Sequence, residues 1–400
     1  MRTGRSVSRA FMAFAASGKA GGIILILCTL VSLAIANSPL SAAYLGFWHR
    51  DFAGLSVEHW INDALMAVFF LLIGLELERE LYNGELSDIK NAVLPMMAAA
   101  GGIAVPALIH FGLNNGTPTQ AGIGIPMATD IAFALGVLAL LGNRVPASLK
   151  IFLTALAVMD DLGAIVVIAL FYTSDLSFLY LLGALAVFAG LVAMNRIMRI
   201  MALLPYLLGG ALMWFLMLKS GVHATIAGVL LAFAIPYSAK QDDADSPSHR
   251  LEHALHKPVT FLILPIFALA NTGIVIGANW TSELLTSNSL GIILGLVAGK
   301  PIGIVLFSFT AVALGVCRLP LDLTWRHVLG AGLLGGIGFT MSIFITNLAF
   351  AGQADVINAS KMAILIASLT AGIIGFGWLK VMGAQAASDA APDPIALEKQ

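Results

Sequence analysis

Charge is scarce in this sequence. Asp, Glu, Lys and Arg together make up 11% of its 400 residues, where soluble domains carry roughly 25%, so a soluble globular protein is excluded. Cysteine is nearly absent. Cys28 and Cys317 stand alone in separate apolar segments, which excludes a disulfide framework and a cysteine-based zinc or redox centre. No excess of either sign exists, with 21 Lys plus Arg against 22 Asp plus Glu. Beyond a short basic start (Arg2, Arg5, Arg9), nothing resembles a nucleic-acid patch, so nucleic acid is set aside as a partner. Low-complexity tracts, short-period repeats and cofactor signatures are missing too, and no cofactor is expected.

What is present is apolar. Hydrophobic residues reach 59% and mean hydropathy is +0.93, the composition of an all-α polytopic membrane protein that lies in a lipid bilayer. Apolar runs set against polar breaks give twelve transmembrane spans, at 20–36, 58–78, 93–113, 120–142, 149–172, 177–195, 202–218, 221–236, 255–278, 289–314, 327–349 and 358–381. Residues 1–383 are therefore read as one transmembrane domain, and 384–400 as a disordered cytoplasmic tail. Lys and Arg outside the spans fall on one side, with only Arg50 and Lys219 opposite. The positive-inside rule makes that side cytoplasmic and puts both termini there. The basic start, the apolar run from Gly21 to Leu33 and Ala34-Ile35-Ala36 also fit a cleaved signal peptide, though an uncleaved first helix is preferred.

Three features violate the apolar pattern. Asp160 and Asp161 sit together in the span from Leu149 to Tyr172, roughly 15 Å into a hydrocarbon core about 30 Å thick. Two carboxylates at that depth are defensible where they face a wet cavity and bind or pass a cation or proton; the bland alternative is an Asp pair capping a kinked helix. Second, two spans look broken. Gly122, Gly124 and Pro126 precede Thr129 and Asp130 in span four, and Gly330, Gly332, Gly335, Gly336 and Gly338 crowd span eleven. Proline removes a backbone donor and glycine weakens a helix. Interrupted spans at matching places in two halves point to a transporter's midplane site, so spans three to five and ten to twelve are read as inverted-topology repeats. Third, Lys300 lies about as deep as the aspartates in span ten and needs a carboxylate, with Asp161 or Asp130 as the available partners.

The residues that carry these features resemble the NhaA family of bacterial sodium/proton antiporters. The likeness covers almost the whole chain and runs through His59–Glu80, Gly124–Gly142, Leu149–Thr173, Ser220–Val229, Arg250–His256, Gly299–Ile304 and Leu333–Ile345. One departure is His249, where lysine is expected in well-known members. The resemblance implies electrogenic exchange of Na+ or Li+ for a larger number of H+ at the bacterial inner membrane, serving salt tolerance and pH homeostasis. It implies that Asp161 is the principal Na+ ligand and proton carrier beside Asp160, and that Thr129 and Asp130 offset dipole ends where the broken helices cross. Lys300 would pair with an aspartate and carry a proton itself or serve as its counter-ion. Glu76, Glu80, Glu252, His253 and His256 match the family's cytoplasmic pH-sensing region, with His223 and Asp63 as weaker candidates; without the resemblance, the acids and histidines would read as solvated helix ends. A homodimer through the outer loop between spans one and two is also implied.

Physically, a buried carboxylate favours its neutral form, so two adjacent acids hold protons and release them when sodium arrives, and competition alone couples the fluxes. The reading is of a transporter, not an enzyme. An intramembrane aspartyl protease needs its acids on separate helices with a GxGD motif, which this chain lacks. A retinal protein with Lys300 as Schiff base fits twelve spans poorly. A passive cation channel is the remaining rival.

Overall fold

The computed structural model describes residues 20–173, 176–238 and 246–389. The expected basic start, residues 174–175 and 239–245, and the last residues of the expected tail lie outside them.

Helix α1 (Ala20–Ala36) turns by 120° into α2 (Ser41–Trp48). A two-stranded antiparallel hairpin follows, β1 (Asp51–Phe52) on β2 (Leu55–Ser56). Its two-residue loop needs positive φ at both positions, and Ala53 at 51° and Gly54 at 86° supply it. Next come α3 (Val57–Asn83), α4 (Ile89–Asn114), a 3-10 segment (Gln120–Met127), α5 (Ile131–Leu140), α6 (Ala147–Phe171), α7 (Phe178–Arg196), α8 (Leu203–Ser220) and α9 (Ile226–Ala234). The last group is α10 (Pro247–Asn271), α11 (Ser287–Ala313), α12 (Trp325–Gly335), α13 (Phe339–Ala349) and α14 (Ala354–Asp389).

Every expected span holds helix, but three expectations change. Among the described residues, nine helices are long and apolar enough to cross a membrane, or eleven when each bent pair is one span. The shortfall from twelve falls at 221–236, where only the nine residues of α9 are helical; at 1.5 Å per residue these cover about 14 Å, half a bilayer core. The ninth span begins at Pro247 rather than 255, because Ser246 accepts a hydrogen bond from the His249 N–H as N-cap and Pro247 takes the first helical turn. The last helix passes 383 and runs to Asp389, so residues 384–389 correct the tail expected there; Ala384, Gln385, Ala386 and Ala387 are strong helix formers.

The helices pack as two groups. One comprises α4 to α6 with α11 to α14, and the other α1, α3 and α7 to α10. In the first, like packs on like: α4 lies along α11, and the two broken spans cross. Gly101 on α4 and Gly303 on α11 make the closest part of that seam, since a Cβ on either would strike the other's carbonyl. Backbone cannot step aside as a flexible side chain can. Gly303→Ala is therefore expected to lower stability by about 1–3 kcal/mol, while Gly377→Ala, with nothing within 4 Å of its Cβ position, leaves it unchanged or raised; thermal melts of the two purified variants check this.

Two prolines in long helices are preceded by wide turns. The π turn Gly295–Gly299 stands before Lys300-Pro301, and Val259–Ile263 before Leu264-Pro265. A proline has no N–H to give the carbonyl one turn back, and the wider turn absorbs that mismatch.

Candidate functional site

Both interruptions fall where the glycines and Pro126 predict them. The 3-10 segment ends at Met127, the backbone is extended at Ala128 and Asp130, and α5 starts at Ile131. Helix α12 ends at Gly335, and α13 leaves it at 47° after Gly336 to Gly338. At the crossing, the Asp130 N–H donates to the Ile337 carbonyl at 2.7 Å, and the Ser342 hydroxyl to the Ile125 carbonyl at 2.7 Å.

Asp130 serves two helix starts at once. Its Oδ1 accepts the Phe133 N–H at 2.9 Å as N-cap of α5. Its Oδ2 accepts the Thr340 N–H at 3.1 Å and the Thr340 hydroxyl at 2.5 Å in the first turn of α13. Each helix N-terminus carries about half a positive charge, so one carboxylate at two such ends is well compensated without a counter-ion.

Asp160 and Asp161, near the middle of the 25-residue α6, are about 100° apart around the helix and meet different surroundings. Asp160 Oδ2 accepts from Lys300 Nζ at 2.5 Å and from the Thr129 hydroxyl at 2.6 Å. Both members of the ion pair are 0% exposed. The sequence named Asp161 or Asp130 as the lysine's partner; the structure corrects this to Asp160, because Asp130 is already held by backbone and hydroxyl donors and no hydrogen bond joins Lys300 to Asp161. Asp161 is 1% exposed, and its charged neighbours are Asp160, Asp130, Glu76 and Lys300. Among the described residues, neither of its oxygens accepts a hydrogen bond, nor does Asp160 Oδ1.

The expected pH-sensing residues divide. Glu252 is buried, and its Oε1 accepts from Arg79 Nη1 at 2.5 Å. Arg79 Nη2 reaches Glu80 at 3.2 Å, and Glu76 lies within electrostatic reach of all three. His253 and His256 are exposed on α10 and outside this cluster. The sequence reading missed Arg79, the acids' shared cation, though it sits between Glu78 and Glu80 in plain view. It also missed Glu78, buried at 4% exposure and accepting from the Ser248 hydroxyl at 3.2 Å, and it missed Thr340 and Ser342 in the first turn after the second break. A hydroxyl one to four residues past a glycine break is the signal that finds the latter two.

The weaker candidates lie elsewhere. Asp63 pairs with His59 Nε2 at 2.8 Å, and His223 Nδ1 sits 3.1 Å from the Thr225 hydroxyl. A cavity of about 480 Å³ opens between the ends of α3 and α6, lined by Glu80, Asn83, Asp88, Lys150 and Thr154 among others.

A family model described as "Na+/H+ antiporter 1" matches residues 12–379. A protein of Dechloromonas aromatica named Na(+)/H(+) antiporter NhaA is 75% identical over 377 residues, 94% of this chain and 97% of its own length. Proteins of the same name from Cytophaga hutchinsonii and Flavobacterium psychrophilum are 58% and 60% identical, over 94% and 92% of this chain and 96% and 95% of theirs.

Proposed function

Given that the chain belongs to the NhaA family of Na+/H+ antiporters, we propose that it expels cytoplasmic Na+, or Li+, in exchange for external H+ by alternating access at the Asp160 and Asp161 pair. The single observation that carries this is the set of three buried carboxylate oxygens that accept no hydrogen bond among the described residues. A buried acceptor left so is costly, and a hard cation or a proton removes the cost. Sodium takes the oxygens of Asp161 and the open oxygen of Asp160, with water completing its shell. Protons replace it on the same atoms, so the two cargoes exclude each other and their fluxes are coupled. Thr129 adds to this: its hydroxyl has one proton for two acceptors, Asp160 Oδ2 and the Gly335 carbonyl at 2.8 Å, and a proton on the aspartate satisfies the second.

Two adjacent acids able to hold two protons against one Na+ make exchange electrogenic. Each net charge is then driven by about 2.3 kcal/mol per 100 mV of membrane potential, which allows the potential to power sodium expulsion. Lys300 is the fixed counter-charge of Asp160 in the sodium-bound form. Both termini are cytoplasmic in the bacterial inner membrane, and the β1–β2 hairpin in the outer loop is where two copies meet as a homodimer. The test is Na+-coupled H+ flux in proteoliposomes at clamped voltage. Coupled flux that speeds up as the side receiving the protons becomes more negative supports the reading. Na+ current without H+ movement would return the chain to the channel class.

Regulation by pH is assigned to the Arg79, Glu76, Glu80 and Glu252 cluster. Three acids share one cation there, so removing one negative charge lowers the like-charge repulsion within the cluster. Glu252→Gln is therefore expected to move the pH–activity midpoint toward acid by on the order of one unit. His256→Gln, on an exposed face, leaves the midpoint in place. The measurement is Na+-induced H+ flux across pH 6–9, roughly the range over which histidine-to-thiol groups titrate.

A further inference from the structure

On the side of the site away from the Glu80 and Lys150 cavity, α13 presents Thr340, Phe344 and Asn347 at spacings of four and three, one face of a helix. Thr340 holds Asp130. Phe344, 0% exposed, lies between Phe70 of α3 and Phe267 of α10, with ring centroids 5.6 and 6.5 Å away. Asn347 forms a second layer beyond the rings. Its Nδ2 donates to Asn271 Oδ1 of α10 at 2.6 Å. Asn271 is 1% exposed and exchanges hydrogen bonds with Asn62 of α3, giving at 2.8 Å and receiving at 3.4 Å. Helix α13 belongs to one packing group, α3 and α10 to the other.

We propose that the amide triad Asn62, Asn271 and Asn347 is the external latch of the transporter, a hydrogen-bonded clasp between the two helix groups that breaks when the site opens outward. The inference rests on the alternating-access reading above and on its orientation. A neutral amide clasp suits the task. It has no net charge to trap the cation passing it, and when opened its groups are satisfied by water, so the open state is not penalised as a separated ion pair would be. The rings beneath it carry no hydrogen bonds and part without leaving polar groups unpaired. Holding the outer layer therefore falls to a few hydrogen bonds worth about a factor of five each in the opening equilibrium.

Asn347→Ala removes the contact between the groups and leaves Asn62 with Asn271. In proteoliposomes of known orientation, it is expected to lower the external KM for Na+ and raise the cytoplasmic KM, so that their ratio shifts about five-fold, without loss of the maximal rate to background. Unchanged KM values on both faces would overturn the latch. A second measurement does not depend on that variant: in a Cys28→Ser, Cys317→Ser background, Asn271→Cys with Asn347→Cys is bridged by a short bis-methanethiosulfonate, which links the two thiols through reducible disulfides. Exchange is expected to stop and to return on reduction, and full exchange with the bridge in place would overturn the proposal. Failure of either test with Asp161→Asn still inactive removes the latch alone, whereas an active Asp161→Asn removes the site reading beneath it.

Discussion

Asp161→Asn brings Na+-induced proton movement in everted vesicles down to that of protein-free membranes, while the purified variant melts at the wild-type temperature or above it. Both halves of this result follow from one geometry. Asp161 is buried and, among the described residues, its two oxygens accept no hydrogen bond, so the fold gains nothing from its charge and the substitution removes a burden instead of a contact. Its worth lies wholly in what it binds. A variant that kept full exchange would displace Asp161 from the centre of the mechanism. One that lost exchange together with its melting transition would show that Asp161 supports the fold, contrary to its lack of donors.

The neighbouring acid behaves in the opposite way. Lys300→Ala strands the Asp160 carboxylate beside a single hydroxyl, and breaking a buried pair by removing one member costs about 3–5 kcal/mol, a large part of a total stability of about 5–15 kcal/mol. The variant is expected to melt far below the wild type and to lose monodispersity on warming in detergent. Combining Lys300→Met with Asp160→Asn removes both charges, fills the lysine's volume and is expected to recover most of that loss without recovering exchange. If the single variant melted normally, the 2.5 Å pair would not be holding the first and second repeats together. If the double variant stayed as unstable as the single, the loss would be one of packing and not of charge.

Much of this was legible in the sequence, because a bilayer punishes exceptions. Asp160, Asp161, Lys300 and Pro126 stand out against an apolar background where each has a price in free energy, and Gly335, Gly336 and Gly338 of span eleven fall at the break itself. What stayed hidden depends on rotation and neighbours. Whether Lys300 meets Asp160 or Asp161 turns on about 100° of helix rotation, which adjacent positions in a sequence do not reveal. The nine-residue α9 was hidden for a related reason, since the run 221–236 is mostly apolar and only the fold shows that nearly half of it is not helical. Arg79 was overlooked because a cation at a helix end reads as topology; its role comes from Glu252, which the chain brings back from far along the sequence. The second halves of the broken spans were half-read: Thr129 was named, while Thr340, its counterpart after the other break, was not.

The π turn at Gly295–Gly299 bears on how this gene tolerates change. Such a turn holds one residue more than the α-helix around it. Deleting any one of its five residues would leave an unbroken helix and disturb no side chain of the site. Because the wide turn already absorbs that extra residue, the Ser287–Leu294 half of α11 and the half that starts at Lys300 would keep close to their present phase, so the lysine would keep its aspartate and the preceding turns their seat on α4. What the shortened gene would lose is the room this turn gives Pro301, whose ring would then crowd the carbonyl one turn back.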